Sequence, residues 1–172
     1  MNVKRIAQIA DNLSQDDLLR QINDYVQKVD DNWNYITPND LYDKLVDGDE
    51  FFLLDIRKPE DYAAGHIEGA TNIFWLDLFK PENLQKLPKD KTIVLICYVG
   101  HTASQAMTLL RMLGYDVIVM KYGMGISPVE GIPVAGWTAL DLPTTKEEAE
   151  VTEIWDNGAY STRQRVHPFR GP

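Results

Sequence analysis

One residue in this chain can serve as a strong nucleophile: Cys97, the single cysteine among 172 residues. Its followers, Tyr98, Val99, Gly100, His101 and Thr102, lead from an apolar run at 93–96 into a stretch with helical spacing. The cysteine therefore stands where a buried strand runs out and a helix begins. In open parallel sheets, ligands bind outside the carboxyl ends of the strands. Thr102 with Gln105 three residues later has the form of a capping box, which predicts a helix start with Thr102 as its N-cap. N–H groups of the loop and first turn then lack intrahelical partners and can converge on the sulfur as an anion cradle. Such donors favour the thiolate near neutral pH. Gly100 gives the turn a position without a Cβ. A lone free cysteine is ordinarily a small packing residue; strand, loop and capped helix together argue for chemistry.

The other polar candidates read differently. Asp55 ends an apolar run at 51–54, and Arg57 follows two residues later. A carboxylate and a guanidinium so placed form a structural pair that supports the loop, because charge pairs of this kind are often architectural. His66 orders its turn. His66, His101 and His167 are far apart and show no ligand spacing, and one thiol excludes both an internal disulfide and a multi-thiolate metal site. No metal and no cofactor is expected. Phe74, Trp75 and Phe79 read as core or pocket wall. Arg163, Arg165 and Arg170 make the one basic cluster, in a tail that is either solvated or a lid over the Cys97 pocket.

Positioning these residues requires an α/β framework. Residues 1–36 read as an acidic helical extension, with Leu18, Leu19, Ile22 and Val26 near helical spacing and Ser14 as N-cap. It is expected to pack on the domain. Thr37, Pro38 and Asp40 open a second helix that Gly48 stops. The runs at 51–54 and 93–96 suit strands buried on both faces. Residues 70–73 and 116–120 supply further strands, and short helices follow Pro59 and Pro81. Ala103, Ala106, Met107 and Leu110 share a face of the helix after the Cys97 loop, which Gly114 closes. Residues 144–155 are expected to form a helix and 164–172 a loose tail. The order implies a central, mostly parallel sheet with helices on both faces. The division is a helical extension at 1–36, a domain at 37–135 and a C-terminal extension at 136–172.

Acidic residues number 26 against 17 basic, for a formal charge of −9. That balance disfavours nucleic acid and anionic membranes as partners, since both are bound through basic patches. No apolar run has the length of a membrane span, and residues 6–12 are too polar for the core of a signal peptide. Read as it stands, the chain is a cytoplasmic protein; removal of a leader before this numbering would make it extracytoplasmic.

Two segments match a family. Leu54-Asp55-Ile56-Arg57 through Gly65-His66-Ile67-Glu68-Gly69-Ala70 resembles the upstream signature of rhodanese domains, and Cys97-Tyr98-Val99-Gly100-His101-Thr102-Ala103 resembles their active-site loop. Residues 114–117 and 121–124 resemble the closing strand and turn. The resemblance covers about 37–134 and implies a rhodanese-like fold and a sulfurtransferase. In it, Cys97 takes sulfur from a small anionic donor such as thiosulfate, becomes a persulfide, and passes the sulfur to a thiol, cyanide or protein acceptor. Tyr98, Val99, Gly100, His101 and Thr102 would bind the donor, with Asp55 and Arg57 supporting the loop. Threonine at 102 resembles the thiosulfate and mercaptopyruvate enzymes, whereas Tyr98 and Val99 stand where thiosulfate enzymes often carry basic residues. The related cysteine phosphatases need an arginine where this chain has Ala103. The alternative from another class is a non-catalytic binding module on the same fold.

Overall fold

The computed structural model describes residues 14–126 and 134–146, together with the backbone of two strands at 150–156 and 159–165. The chain begins with helix α1 (Gln15–Gln27), followed by β1 (Tyr35–Ile36), α2 (Pro38–Asp47), β2 (Phe52–Asp55) and α3 (Pro59–Ala64). Strand β3 (Thr71–Asn72), α4 (Pro81–Leu84), β4 (Ile93–Ile96), α5 (His101–Met112) and β5 (Val117–Met120) follow. Strands β6 (Glu150–Asp156) and β7 (Ala159–Arg165) come last.

Five strands form one sheet in the order β1-β5-β4-β2-β3, and every pairing in it is parallel. Strand alternation divides the core in two. Ile93 and Leu95 of β4 face Ala103, Ala106, Met107 and Leu110 of α5. Val94 and Ile96 face the opposite layer, with Leu41 of α2, Tyr62 of α3 and Trp137. The sheet is thus covered on both faces, as its wholly apolar central strands β4 and β5 require. Cys97 falls on the α5 side by the same alternation and belongs to that cluster.

Local signals explain the element ends. The Ser14 hydroxyl accepts from the Asp17 N–H, and the Asp17 carboxylate accepts from the Ser14 N–H, a complete capping box for α1. The Thr37 hydroxyl accepts from the Asp40 N–H at the start of α2, and Gly48 ends that helix in the left-handed region. Three sequence expectations need correction. The extension at 1–36 is not helical throughout: α1 ends at Gln27, and Tyr35–Ile36 already pairs with β5 at the edge of the sheet. That edge strand has only two residues, too few for a periodicity to register. Helix α1 rests beside α5 but buries none of its side chains, and Leu18, Leu19, Ile22 and Val26 are exposed.

The third correction concerns the C-terminal extension. In place of a helix over 144–155, Thr145 bridges to His66, and β6 pairs antiparallel with β7 in a separate two-stranded sheet. In the run Glu150-Val151-Thr152-Glu153-Ile154-Trp155 the apolar residues have helical spacing, but Val, Thr, Ile and Trp favour strands. Residues 164 and 165 belong to β7 rather than to a tail; 166–172 and His167 lie outside the described residues.

Leu95 is fully buried at the centre of the α5-facing layer. Leu95→Ala should lower unfolding free energy by about 2–5 kcal/mol, read as a shift in urea midpoint without a change in slope; a shift below about 1 kcal/mol would mean that this layer is loosely packed.

Candidate active site

The site lies at the carboxyl ends of β2 and β4, which run in register with Asp55 opposite Ile96. Cys97 follows β4 directly and is buried, at 2% exposure. Its sulfur accepts from the Gly100 N–H at 3.1 Å. Gly100 has φ +94, a conformation that L side chains rarely adopt, and this turns the loop into α5. The helix start is two residues earlier than the sequence suggests. Gly100, not Thr102, occupies the N-cap, and Thr102 lies within the first turn. The Gly100 carbonyl accepts from both the N–H and the hydroxyl of Ser104, at 3.0 and 2.8 Å. Tyr35 of β1 donates in turn to the Ser104 hydroxyl at 2.9 Å.

A second segment grips the loop from behind. The Met124 N–H donates to the Cys97 carbonyl at 2.8 Å, and the Gly125 N–H to the Tyr98 carbonyl at 3.0 Å. Gly123 packs so closely that a Cβ there would stand 2.2 Å from the Cys97 oxygen. The turn is itself held by residues that sequence reading left without a role. Trp137 donates from its backbone to Gly123, and Thr138 donates to the Met124 carbonyl from both its N–H and its hydroxyl. Trp137 is buried, with its indole N–H bonded to the Pro143 carbonyl. An isolated tryptophan in a Gly- and Pro-rich stretch was the one available signal.

The front of the site is built on Asp55 and Arg57, both fully buried. The Arg57 Nη2 donates to the Asp55 carboxylate at 2.6 Å and its Nε at 3.0 Å, while the Asp55 Oδ1 also accepts from the Arg57 N–H. The same Nη2 reaches the Gly65 carbonyl at 2.8 Å and ties down the end of α3. Asn72 of β3 donates to the carbonyls of Asp55 and Arg57. His66 is bonded through its backbone to Thr145, stacks on Tyr62 and lies with Nδ1 2.9 Å from the Tyr62 carbonyl, an acceptor that places the proton on Nδ1. It orders a turn.

Among the residues expected to meet the donor, the structure gathers 97–102 into a single loop and helix start. Tyr98 is half-buried and its hydroxyl turns away to α3, donating to the Asp61 carboxylate and accepting from the Lys58 N–H at 3.3 Å. Burial, and then the bond to Asp61, raise the Tyr98 pKa above its ordinary value, so the phenol stays protonated as a donor. Val99 and Thr102 are half-buried and His101 is exposed. Trp75 and Phe79 meet edge to face and pack on the α5-side cluster, as core. The Arg163 and Arg165 side chains and Arg170 lie outside the described residues.

The family profile for the rhodanese-like domain matches residues 37–125, just over half of the chain. The chain belongs to the rhodanese-like family. A probable adenylyltransferase/sulfurtransferase, MoeZ, of Mycobacterium tuberculosis is 35% identical over 88 residues, which are 51% of this chain and 22% of that protein. The chain thus spans about a fifth of the length of that relative. A putative sulfurtransferase of Bacillus subtilis, YtwF, is 32% identical over 49% of this chain and 80% of its own length. A sulfurtransferase of Allochromatium vinosum is 30% identical over 59% of this chain and 94% of its own. Among solved structures, a rhodanese-related protein of Thermoplasma volcanium superposes with a TM-score of 0.53 at 24% identity, over 66% of this chain and 98% of that one, a likeness of fold. Among the described residues no helix is long and apolar enough to cross a membrane.

Two rhodanese-fold contacts can be tested by substitution. Arg57→Gln leaves the Asp55 carboxylate buried without its counter-charge, and a loss of about 3–5 kcal/mol in chemical denaturation is expected; a loss under about 1 kcal/mol would show the pair to be dispensable. Gly123→Ala combines a clash with the Cys97 carbonyl and a left-handed φ of +52. It should cost more than about 1 kcal/mol, whereas a neutral melting curve would mean the turn relaxes freely.

Proposed function

We propose that this rhodanese-like chain is a sulfurtransferase that carries sulfane sulfur as a persulfide on Cys97. The observation that carries the reading is the Cys97 sulfur at the carboxyl end of β4, in hydrogen-bond reach of the Gly100 N–H at the N-terminus of α5. A helix N-terminus and an aimed N–H favour negative charge on that sulfur, both as thiolate and as persulfide. Relatives named sulfurtransferases support the same reading. Residues 37–135 would carry the activity, flanked by the two extensions.

The chemistry divides into two displacements. The Cys97 thiolate attacks the outer sulfur of a donor such as thiosulfate. A new S–S bond forms at Cys97, the donor's S–S bond breaks, and sulfite departs with the bonding electron pair. An acceptor thiolate, or cyanide, then attacks the outer sulfur of the Cys97 persulfide and regenerates the thiolate. Backbone donors already fixed by the loop need no reorganisation as charge passes from the inner to the outer sulfur. Residues 98–102 would shape the donor site, His101 being the exposed side chain at its rim. Because Cys97 is so enclosed, a small donor presenting a terminal sulfur suits the site. Asp55 and Arg57 act by holding the framework and take no part in proton transfer.

Intact-mass spectrometry after exposure to a sulfane-sulfur donor tests this reading. The wild-type protein should gain the mass of one sulfur that cyanide removes, and Cys97→Ser should gain none. A wild-type protein that acquires no sulfur from thiosulfate, mercaptopyruvate or an organic persulfide would be a binding module built on the same fold.

A further inference from the structure

The N–H that faces the Cys97 sulfur belongs to a glycine, and no side chain of its own fixes its direction. Gly100 stands at φ +94 and ψ −18, in a region that glycine enters and leaves at no steric cost. A hydrogen bond weakens steeply as its angle departs from linear. The aim of that N–H must therefore be held through the rest of the residue. The Gly100 carbonyl is held twice, by the Ser104 N–H at 3.0 Å and by the Ser104 hydroxyl at 2.8 Å. The first is the ordinary bond of a helix, and the second is additional to it.

A serine hydroxyl in a helix can turn its proton to more than one acceptor. Tyr35 removes that freedom. Its O–H donates to the Ser104 oxygen at 2.9 Å, across 69 positions of sequence, which leaves the Ser104 proton to the Gly100 carbonyl. Both side chains are half-buried, and Tyr35 packs against the cluster that contains Cys97. In such surroundings consecutive hydrogen bonds strengthen one another. The register of β1 delivers the tyrosine, since Tyr35 lies opposite Val119, a member of the same cluster. Tyr35 and the whole of α1 precede the 37–125 stretch that matches the family profile.

We infer that Tyr35 and Ser104 are positioning residues of the sulfur site. They form a hydroxyl chain through which the segment before the family-matching stretch holds Gly100 and keeps its N–H aimed at Cys97. The use of that aimed N–H in sulfur transfer rests on the function proposed above.

A single cysteine lets the effect be read directly. Full-length protein isotopically labelled at the cysteine Cβ gives one nuclear magnetic resonance signal, and its pH midpoint reports the thiolate without any sulfur donor. Tyr35→Phe keeps the ring and its packing while removing the hydroxyl, and Ser104→Ala removes the link itself. Each should move the midpoint up, lowering the thiolate fraction at a pH below the midpoint roughly 3- to 10-fold. The two effects should not add. The double variant should match Ser104→Ala, because Tyr35 then has no hydroxyl to direct. Thr108→Ala strips another hydroxyl from the same helix, one that donates to the Ser104 carbonyl at 3.2 Å, and should leave the midpoint in place. A merely structural role would lower the denaturation midpoint of Tyr35→Phe and Ser104→Ala and leave the cysteine signal unmoved. That result, additive shifts, or an equal shift in Thr108→Ala overturns the inference. Sulfur loading of the same samples, followed by intact mass, separates it from the proposed function. A wild type that loads from no donor, with the midpoint shifts present, overturns sulfur transfer and leaves the positioning of Gly100 standing.

Discussion

The arrangement around Cys97 depends on a charge pair that water does not reach. Asp55 and Arg57 are fully buried, and removing two ions from water is repaid only when their geometry is good and their remaining polar atoms find partners. Here the carboxylate takes both side-chain and backbone N–H groups of Arg57 and Nη2 reaches on to Gly65, while the buried Nη1 has no hydrogen-bond partner among the described residues. The pair therefore does more than neutralise itself. It fixes the end of β2 against the end of α3, and α3 in turn offers Asp61 and the Lys58 N–H to Tyr98. A loop with little regular structure is thus attached at its front to an element that cannot shift without exposing an unpaired charge to the core.

The rear attachment uses backbone alone. Gly123 and the N–H groups of Met124 and Gly125 lie against the carbonyls of Cys97 and Tyr98, at a separation no Cβ would permit. Both carbonyls are committed to the rear, and the Gly100 N–H is directed at the sulfur. A backbone donor at the sulfur suits a chain of net charge −9, because it draws on a local dipole rather than on net charge. Residues 97–102 contain neither lysine nor arginine.

Elements whose patterns are strong and local were legible in advance. The apolar runs at β2 and β4, the capped starts of α1 and α2, and the face of α5 follow from periodicity and capping chemistry alone. The displaced start of α5 shows the limit. Thr102 and Gln105 have the right types and spacing for a capping box, but the positive φ of Gly100 ends the loop two residues sooner. A glycine can adopt that conformation without being obliged to, so the sequence carries both readings. Strand β1 was missed because two residues have no period, and β6 because a short mixed run satisfies helical and strand patterns alike.

By itself the sequence determined the strand that ends at Cys97, the helix that follows, and the two-sided sheet, since each depends on residue type and near-neighbour spacing. It also marked Asp55 and Arg57 as architectural. Only the tertiary structure decided what holds the loop. The grip of 123–125, its support by Trp137 and Thr138, and the turning of Tyr98 to Asp61 join residues between 14 and 37 positions apart. Such contacts are chosen by the packing of helices on a twisted sheet, where partners meet because both faces must be filled, and no local pattern records which distant side chain will arrive.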